Sequence, residues 1–139
     1  MEIVMAYKAN DGTLFDSYNE CLKHETKDYP KIEGYTCYGE YYLSNTIIKN
    51  KTFYEAMLIK EIVNLPNGKT VTAHTLSKEE LESILEEGRA FYGWYWTSTP
   101  YIDIYAWDIH GNGDFYNGYI NLSSDGGGAR LGFKNPFLN

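Results

Sequence analysis

The last third of the chain is built from short segments in which apolar and aromatic residues alternate with polar ones. They run Tyr95 to Thr99, Tyr105 to Ile109, Asp114 to Ile120 and Ala129 to Phe133, with Gly111-Asn112-Gly113 and Asp125-Gly126-Gly127-Gly128 between the later ones. A period of two cannot be wound into a helix without scattering its apolar residues around the axis, and the glycines supply the backbone freedom of tight reversals. The pattern therefore predicts a C-terminal antiparallel meander. No Gly-Lys-Ser/Thr follows either glycine run, so neither reads as a phosphate cradle.

Upstream, the period changes. Ser17 and Glu20 have capping-box spacing, and Tyr18, Cys21, Leu22 and Glu25 follow at helical intervals, which predicts a helix from Ser17 to Thr26. Thr52 precedes Phe53, Ala56, Met57, Lys60 and Val63, predicting a second helix that stops at Leu65-Pro66-Asn67-Gly68. The strongest local signal is Leu76-Ser77-Lys78-Glu79-Glu80-Leu81. Ser77 caps, Glu80 completes the box, Leu76 staples onto Leu81, and the helix runs to Glu87 before Gly88. At the other end, Glu2 to Lys8 alternates into Asn10-Asp11-Gly12-Thr13 and predicts a small N-terminal hairpin ending near Phe15. Between Tyr29 and Asn50, Pro30, Gly34 and Gly39 exclude a helix, while Tyr35, Cys37, Tyr41 and Leu43 alternate like an irregular strand. With helices in the first two thirds, strands in the last and no linker or repeat, the expectation is one α+β domain over residues 1–139.

Composition bounds the function. The chain has 139 residues, 43% of them hydrophobic, and no apolar run approaching the ~20 residues of a membrane span. Nineteen acidic against 12 basic residues give a net charge of -7, which disfavours direct nucleic-acid binding and leaves a basic protein surface as a partner. Two cysteines, Cys21 and Cys37, without a secretory leader argue against a disulfide framework and for a cytoplasmic setting. His24, His74 and His110 fall on separate elements without zinc-site spacing and read as ordinary surface or hydrogen-bonded histidines. Neither a metal nor a cofactor is expected. Asp103, Asp108 and Asp114 supply carboxylates, but nothing in the sequence fixes the separation that glycoside chemistry requires.

The stretch Thr75-Leu76-Ser77-Lys78-Glu79-Glu80-Leu81-Glu82-Ser83-Ile84, then Tyr95-Trp96-Thr97-Ser98-Thr99, Ala106-Trp107 and Ala129-Arg130-Leu131, carries a resemblance. It resembles the C-terminal domain of the Legionella collagen-like adhesin and its relatives, within the C-type-lectin-like superfamily. That pattern has leucine-proline-threonine before a glutamate-leucine helix, tyrosine-tryptophan-serine-serine-threonine and alanine-tryptophan on successive strands, and a closing arginine strand. This chain departs from it in having Ser77 after Leu76, and Ala73-His74 where tryptophan-arginine is usual. The resemblance covers about the last half of the chain. It implies a C-type-lectin-like fold, with short helices packed on the meander and ligands held by loops on that side. On this reading Trp96 and Trp107 both belong to the core, as aromatic pairs across adjacent strands worth ~0.2–1 kcal/mol each.

The superfamily's known chemistries do not transfer. Its calcium-dependent lectins use a glutamate-proline-asparagine or glutamine-proline-aspartate tripeptide with a tryptophan-asparagine-aspartate strand. Here the prolines sit in Thr99-Pro100-Tyr101 and Asn135-Pro136-Phe137, and Trp107-Asp108 is a partial echo. Formylglycine-generating relatives need cysteines in the closing strands, and none follows Cys37. Separately, Tyr7-Lys8-Ala9-Asn10-Asp11-Gly12-Thr13 with Phe15 and Glu20-Cys21-Leu22 resembles the opening of small phage-encoded proteins, which implies a phage or mobile-element origin.

One constellation stands out. Tyr101, Asp103, Tyr105 and His110 are followed by Asn112, Asp114, Tyr116, Asn117 and Tyr119, interleaved with glycine and serine as in a paratope. These are the candidate ligand-binding residues. The alternative is an acidic helix face of Glu79, Glu82 and Glu86 that imitates nucleic-acid phosphate; its simpler meaning is a solvated face. The function read from the sequence is a non-catalytic protein-binding module that occludes a host protein in the bacterial cytoplasm. Anti-defence inhibition, for example of the anti-CRISPR type, fits. The rival is an adhesion or receptor-binding domain, on a virion, that recognises a glycan or cell-surface polymer as a homo-oligomer. Because no ligand set for Ca²⁺ or Zn²⁺ is present, neither ion nor a chelator should move the thermal midpoint. A rise of several degrees with either metal overturns this expectation.

Overall fold

The computed structural model describes residues 6–85, 93–110, 114–121 and 127–138. It is mixed helix and sheet, mostly antiparallel strands, with three short helices among the described residues. The N-terminal hairpin pairs β1 (Tyr7–Lys8) with β2 (Leu14–Phe15) around Gly12, whose φ of 91° lies in the left-handed region. The expected strand residues Glu2 to Met5 lie outside the described residues. Helix α1 (Tyr18–Glu25) follows, but the Ser17 capping box does not form: the Ser17 side chain makes no cap bond. The helix is clasped to the hairpin from its other end instead, by Glu25 Oε1 accepting from Asn10 N at 2.7 Å and by His24 Nε2 at 2.6 Å from Asp11 Oδ2.

The segment read as one irregular strand is a hairpin of β3 (Tyr35–Cys37) and β4 (Tyr41–Ser44), followed by the short β5 (Ile48–Lys49). Helix α2 (Phe53–Leu58) opens on a capping box, with Glu55 N bonded to Thr52 Oγ1 and Thr52 N to Glu55 Oε1. It does not reach Asn64 as expected. Glu61–Asn64 is strand β6, paired with β7 (Thr70–Thr75), and Leu65-Pro66-Asn67-Gly68 is the turn between them. Leu65 N bonds to Lys69 O at 2.8 Å, and Lys69 N to Asn67 Oδ1 at 3.0 Å. The β-branched Ile62 and Val63 suit this pairing better than another helical turn. The expectation that helices fill the first two thirds is thereby corrected.

Helix α3 (Lys78–Leu85) starts as the sequence indicates: Glu80 N bonds to Ser77 Oγ and Ser77 N to Glu80 Oε1. Leu76 and Leu81 are both buried in one cluster. The end of this helix at Glu86 and Glu87 lies outside the described residues. Next come β8 (Tyr95–Pro100), β9 (Tyr105–His110) and β10 (Asp114–Tyr119), which form an antiparallel sheet in the order β10-β9-β8. The final segment does not extend this meander, as the sequence suggested. Gly128–Ala129 (β11) pairs with β5, and Leu131–Lys134 (β12) enters a five-stranded sheet in the order β3-β4-β12-β7-β6. A strand with Leu131, Gly132 and Phe133 all buried needs cover on both faces, which an edge of the meander cannot give.

Three apolar clusters result. One face of the five-stranded sheet carries Tyr35, Tyr42, Phe133, Leu131, Ala73 and Val63, with Tyr42 and Phe133 stacked at 5.1 Å. A second cluster joins Leu43 of β4 to Leu81 and Ile84 of α3 and to Tyr95 and Ile109 of the meander. The third packs Phe53 and Ala56 of α2 and Ala129 of β11 on Trp96 and Ala106. Arg130, between β11 and β12, fastens these layers: its Nε donates to Ser44 O at 2.6 Å, and its guanidinium lies 5.2 Å from the Tyr95 ring centre. Gly132 marks a close approach within the sheet, since a Cβ there would come within 2.8 Å of both Leu76 Cδ1 and the Tyr42 carbonyl. Gly132→Ala should therefore cost ~1–3 kcal/mol, read as a lower midpoint in urea or heat. An unchanged midpoint would show that β12 is packed more loosely than this.

Candidate functional site

The two faces of the meander differ in character. Paired residues of neighbouring strands share a face, so Tyr95, Ile109 and Phe115 look one way, and Trp96, Asp108 and Tyr116 the other. Trp96 is buried as expected, with Nε1 donating to Lys51 O at 2.9 Å. Trp107 is not. It is half-buried: Lys78 Nζ, in the first turn of α3, lies 4.9 Å from the indole, and the exposed Tyr101 ring packs edge-on at 4.9 Å.

The structure does not gather the candidate residues into one surface. It separates them into two groups at opposite ends of the strands. At the β8–β9 reversal, Tyr101 N bonds to Tyr105 O and Tyr105 N to Ile102 O, with Asp103 at a left-handed φ of 53°. This tight loop leaves the apolar side chains outside. Tyr101, Tyr105 and Tyr119 are about two-fifths exposed, at 42%, 39% and 43%, and Ile102 and Ile104 stand beside them at 60% and 41%. Tyr105 and Tyr119 face each other across β9 and β10, edge to face at 5.8 Å. Sequence alternation identifies the three tyrosines; the two isoleucines it misses, because a β-branched apolar residue is normally assigned to a core.

At the other end, His110 and Asp114 are a register pair, and Tyr116 packs on the His110 ring at 4.7 Å. Asn117 is exposed on β10 between the groups, and Asn112 lies outside the described residues. Beneath His110 is a group the sequence does not single out as a ligand residue. The Asp108 side chain is 1% exposed, and neither of its oxygens receives a well-directed hydrogen bond. His110 Nε2 stands 3.2 Å from Oδ1, with the Trp94 indole 5.1 Å from the imidazole. The floor is Gly118, where a Cβ would come 2.5 Å from Oδ2 and 3.1 Å from the Trp96 ring. Burial pushes the Asp108 carboxyl above its ordinary range, against the opposing pull of Trp94 and His110. The result is an imidazole seated over a buried carboxylate and walled by aromatic rings.

The acidic alternative is weakened locally. Glu80 is engaged in the α3 cap, and Glu82 is paired with Lys78 one turn away, which leaves Glu79 exposed beside a neutralised pair. Glu86 lies outside the described residues. A groove of about 960 Å³ opens between α1 and β3, with Lys23, Lys27 and Lys31 on its lining. Its Ile32, Tyr35 and Tyr42 belong to the buried core. Among the described residues no three His, Cys, Asp or Glu side chains converge as a metal site. Cys21 is buried and Cys37 half-buried, and neither is in a disulfide. Among the described residues no helix is long and apolar enough to cross a membrane. Comparison with known protein families, with curated proteins and with solved structures finds no match.

Since the folded-state pKa of Asp108 is raised above the ordinary 3.8, its ionised form opposes folding. Both states are protonated below that value, and the penalty develops as pH rises through the raised pKa. Asp108→Asn should thus raise the melting midpoint by ~2–5 °C at pH 7 and by nothing near pH 3.5. A midpoint lowered at pH 7 would mean that the carboxylate is a needed partner of His110.

Proposed function

We propose that this chain is a non-catalytic protein-binding module with a C-type-lectin-like core, engaged through the ridge of Tyr101, Ile102, Ile104, Tyr105 and Tyr119. The observation that carries the reading is this ridge: five large side chains, contiguous around one tight reversal, are left in water together. Tyrosines in such a position bury much area on binding and lose few rotamers. What supports the lectin-like core is that the segments carrying the resemblance pack together. Leu76 and Leu81 meet Tyr95 and Ile109, and Arg130 reaches the Tyr95 ring.

The partner is a host bacterial protein with a basic surface, complementary to a net charge of -7, and the module acts by covering it, as a phage-encoded inhibitor of a defence system does. The test is site-specific photo-cross-linking in the bacterial host. A cross-linking residue at Ile102 should capture one protein, and the same residue at Leu14, exposed on the N-terminal hairpin, should not. Binding of the captured protein should weaken ~10-fold or more in Tyr105→Ala and in Tyr119→Ala. Capture at both positions, or full affinity in both alanine variants, would sink the assignment of the ridge. Loss of binding on charge reversal of Glu79 and Glu82 alone would move the site to α3.

A further inference from the structure

The two edges of the meander are finished differently. β8 is interrupted by a bulge between Trp96 and Pro100, ends on a residue without an N–H, and packs against β11. Such devices blunt an edge against pairing with another chain. Among the described residues β10 has none of them. It pairs with β9 at every position from Asp114 to Tyr119 without a bulge, contains no proline or lysine, and carries Asp114 as its single charge.

The ladder determines which backbone groups this edge offers. Ile120 N donates to Ile104 O at 2.8 Å, continuing the register one step past the Tyr119–Tyr105 pair. Hydrogen-bonded pairs alternate along an antiparallel ribbon, so Gly118, Tyr116 and Asp114 turn their N–H and C=O groups towards β9. Phe115, Asn117 and Tyr119 turn theirs away. Trp107, opposite Asn117, agrees with this, because its carbonyl accepts from Thr97 Oγ1 on the β8 side at 2.9 Å. Among the described residues the outward backbone groups of Phe115, Asn117 and Tyr119 have no partner.

We propose that this edge pairs with the same edge of a second copy of the chain, antiparallel about a twofold axis at Asn117, so that two meanders become one continuous sheet. An axis at this residue is permitted because Asn117 faces outward: each copy's Asn117 then donates to and accepts from the other's. In that register Phe115 lies opposite Tyr119 of the second copy and Tyr116 opposite Gly118. Aromatic thus meets aromatic on either side of the axis. Asp114 falls opposite Ile120, so the two carboxylates stand at opposite ends of the ribbon. No like charges meet across the seam. The remaining repulsion between two copies at -7 is long-range and screened, so association tightens as salt rises.

Sedimentation of the purified chain at micromolar to millimolar concentrations tests the proposal, with no other ligand added. The expected result is a reversible dimer that strengthens with sodium chloride and is lost in Asn117→Lys, which sets two ammonium groups against each other at the axis. A second measurement does not depend on how that variant folds. Under an added oxidant, Asn117→Cys should form a disulfide-linked dimer above the wild-type background from Cys21 and Cys37, and Tyr116→Cys, one residue along, should not. A monomer at every concentration, a dimer that survives Asn117→Lys, or a cross-link favouring Tyr116→Cys would each overturn the proposal. Because Tyr119 belongs to both the ridge and the seam, the Ile102 cross-link and Tyr105→Ala test the ridge, and the Asn117 and Tyr116 variants test the seam.

Discussion

The insertion of β12 between β4 and β7 is the contact on which the other layers depend. Without it the five-stranded sheet is two separate hairpins, β3–β4 and β6–β7, and a lone two-stranded hairpin is marginal in water. The same segment also places Ala129 against Trp96 and hands Arg130 to Ser44 and Tyr95. A few residues thus touch all three apolar clusters. The meander that carries the exposed tyrosines is held on one side by α3 and on the other by α2 and β11, and each of these supports is positioned from the central sheet.

What could be read from the sequence follows from how local each cause is. The Ser77–Glu80 box and the three strands of the meander rest on neighbours a few residues apart, and both formed where the pattern put them. The helix expected over Thr52 to Asn64 shows the opposite case. Its spacing of Phe53, Ala56, Met57, Lys60 and Val63 is helical on paper, yet Asn67-Gly68 between two β-branched segments was a hairpin signal of equal standing. Pairing with β7, and through it with β12, decides between them. The destination of Leu131–Lys134 could not be read at all, since a short apolar strand carries no mark of the sheet it joins.

The candidate site divides along the same line. Alternation placed Tyr101, Tyr105 and Tyr119 on the surface, and they are there. It could not separate them from His110, Asp114 and Tyr116, because strand direction, and not composition, puts the two groups at opposite ends. The burial of Asp108 was also hidden, as an aspartate in a strand is assigned to solvent by default. Nor do all the tyrosines lie at the surface. Tyr35, Tyr42 and Tyr95 are core residues. Tyr42 spends its hydroxyl on Pro30 O at 2.7 Å, and burial holds the Tyr95 phenol up at about 12 despite the adjacent Arg130.

The central position of β12 also bears on when the fold can exist during synthesis. A ribosome adds ~5–20 residues per second, so β4 leaves the exit tunnel seconds before the strand that will lie beside it has been made. In that interval the β3–β4 and β6–β7 hairpins hold their inner edges open to each other and to any passing strand. The order of translation thus leaves the middle of the five-stranded sheet unfilled until residue 134 emerges, however stable the finished sheet becomes.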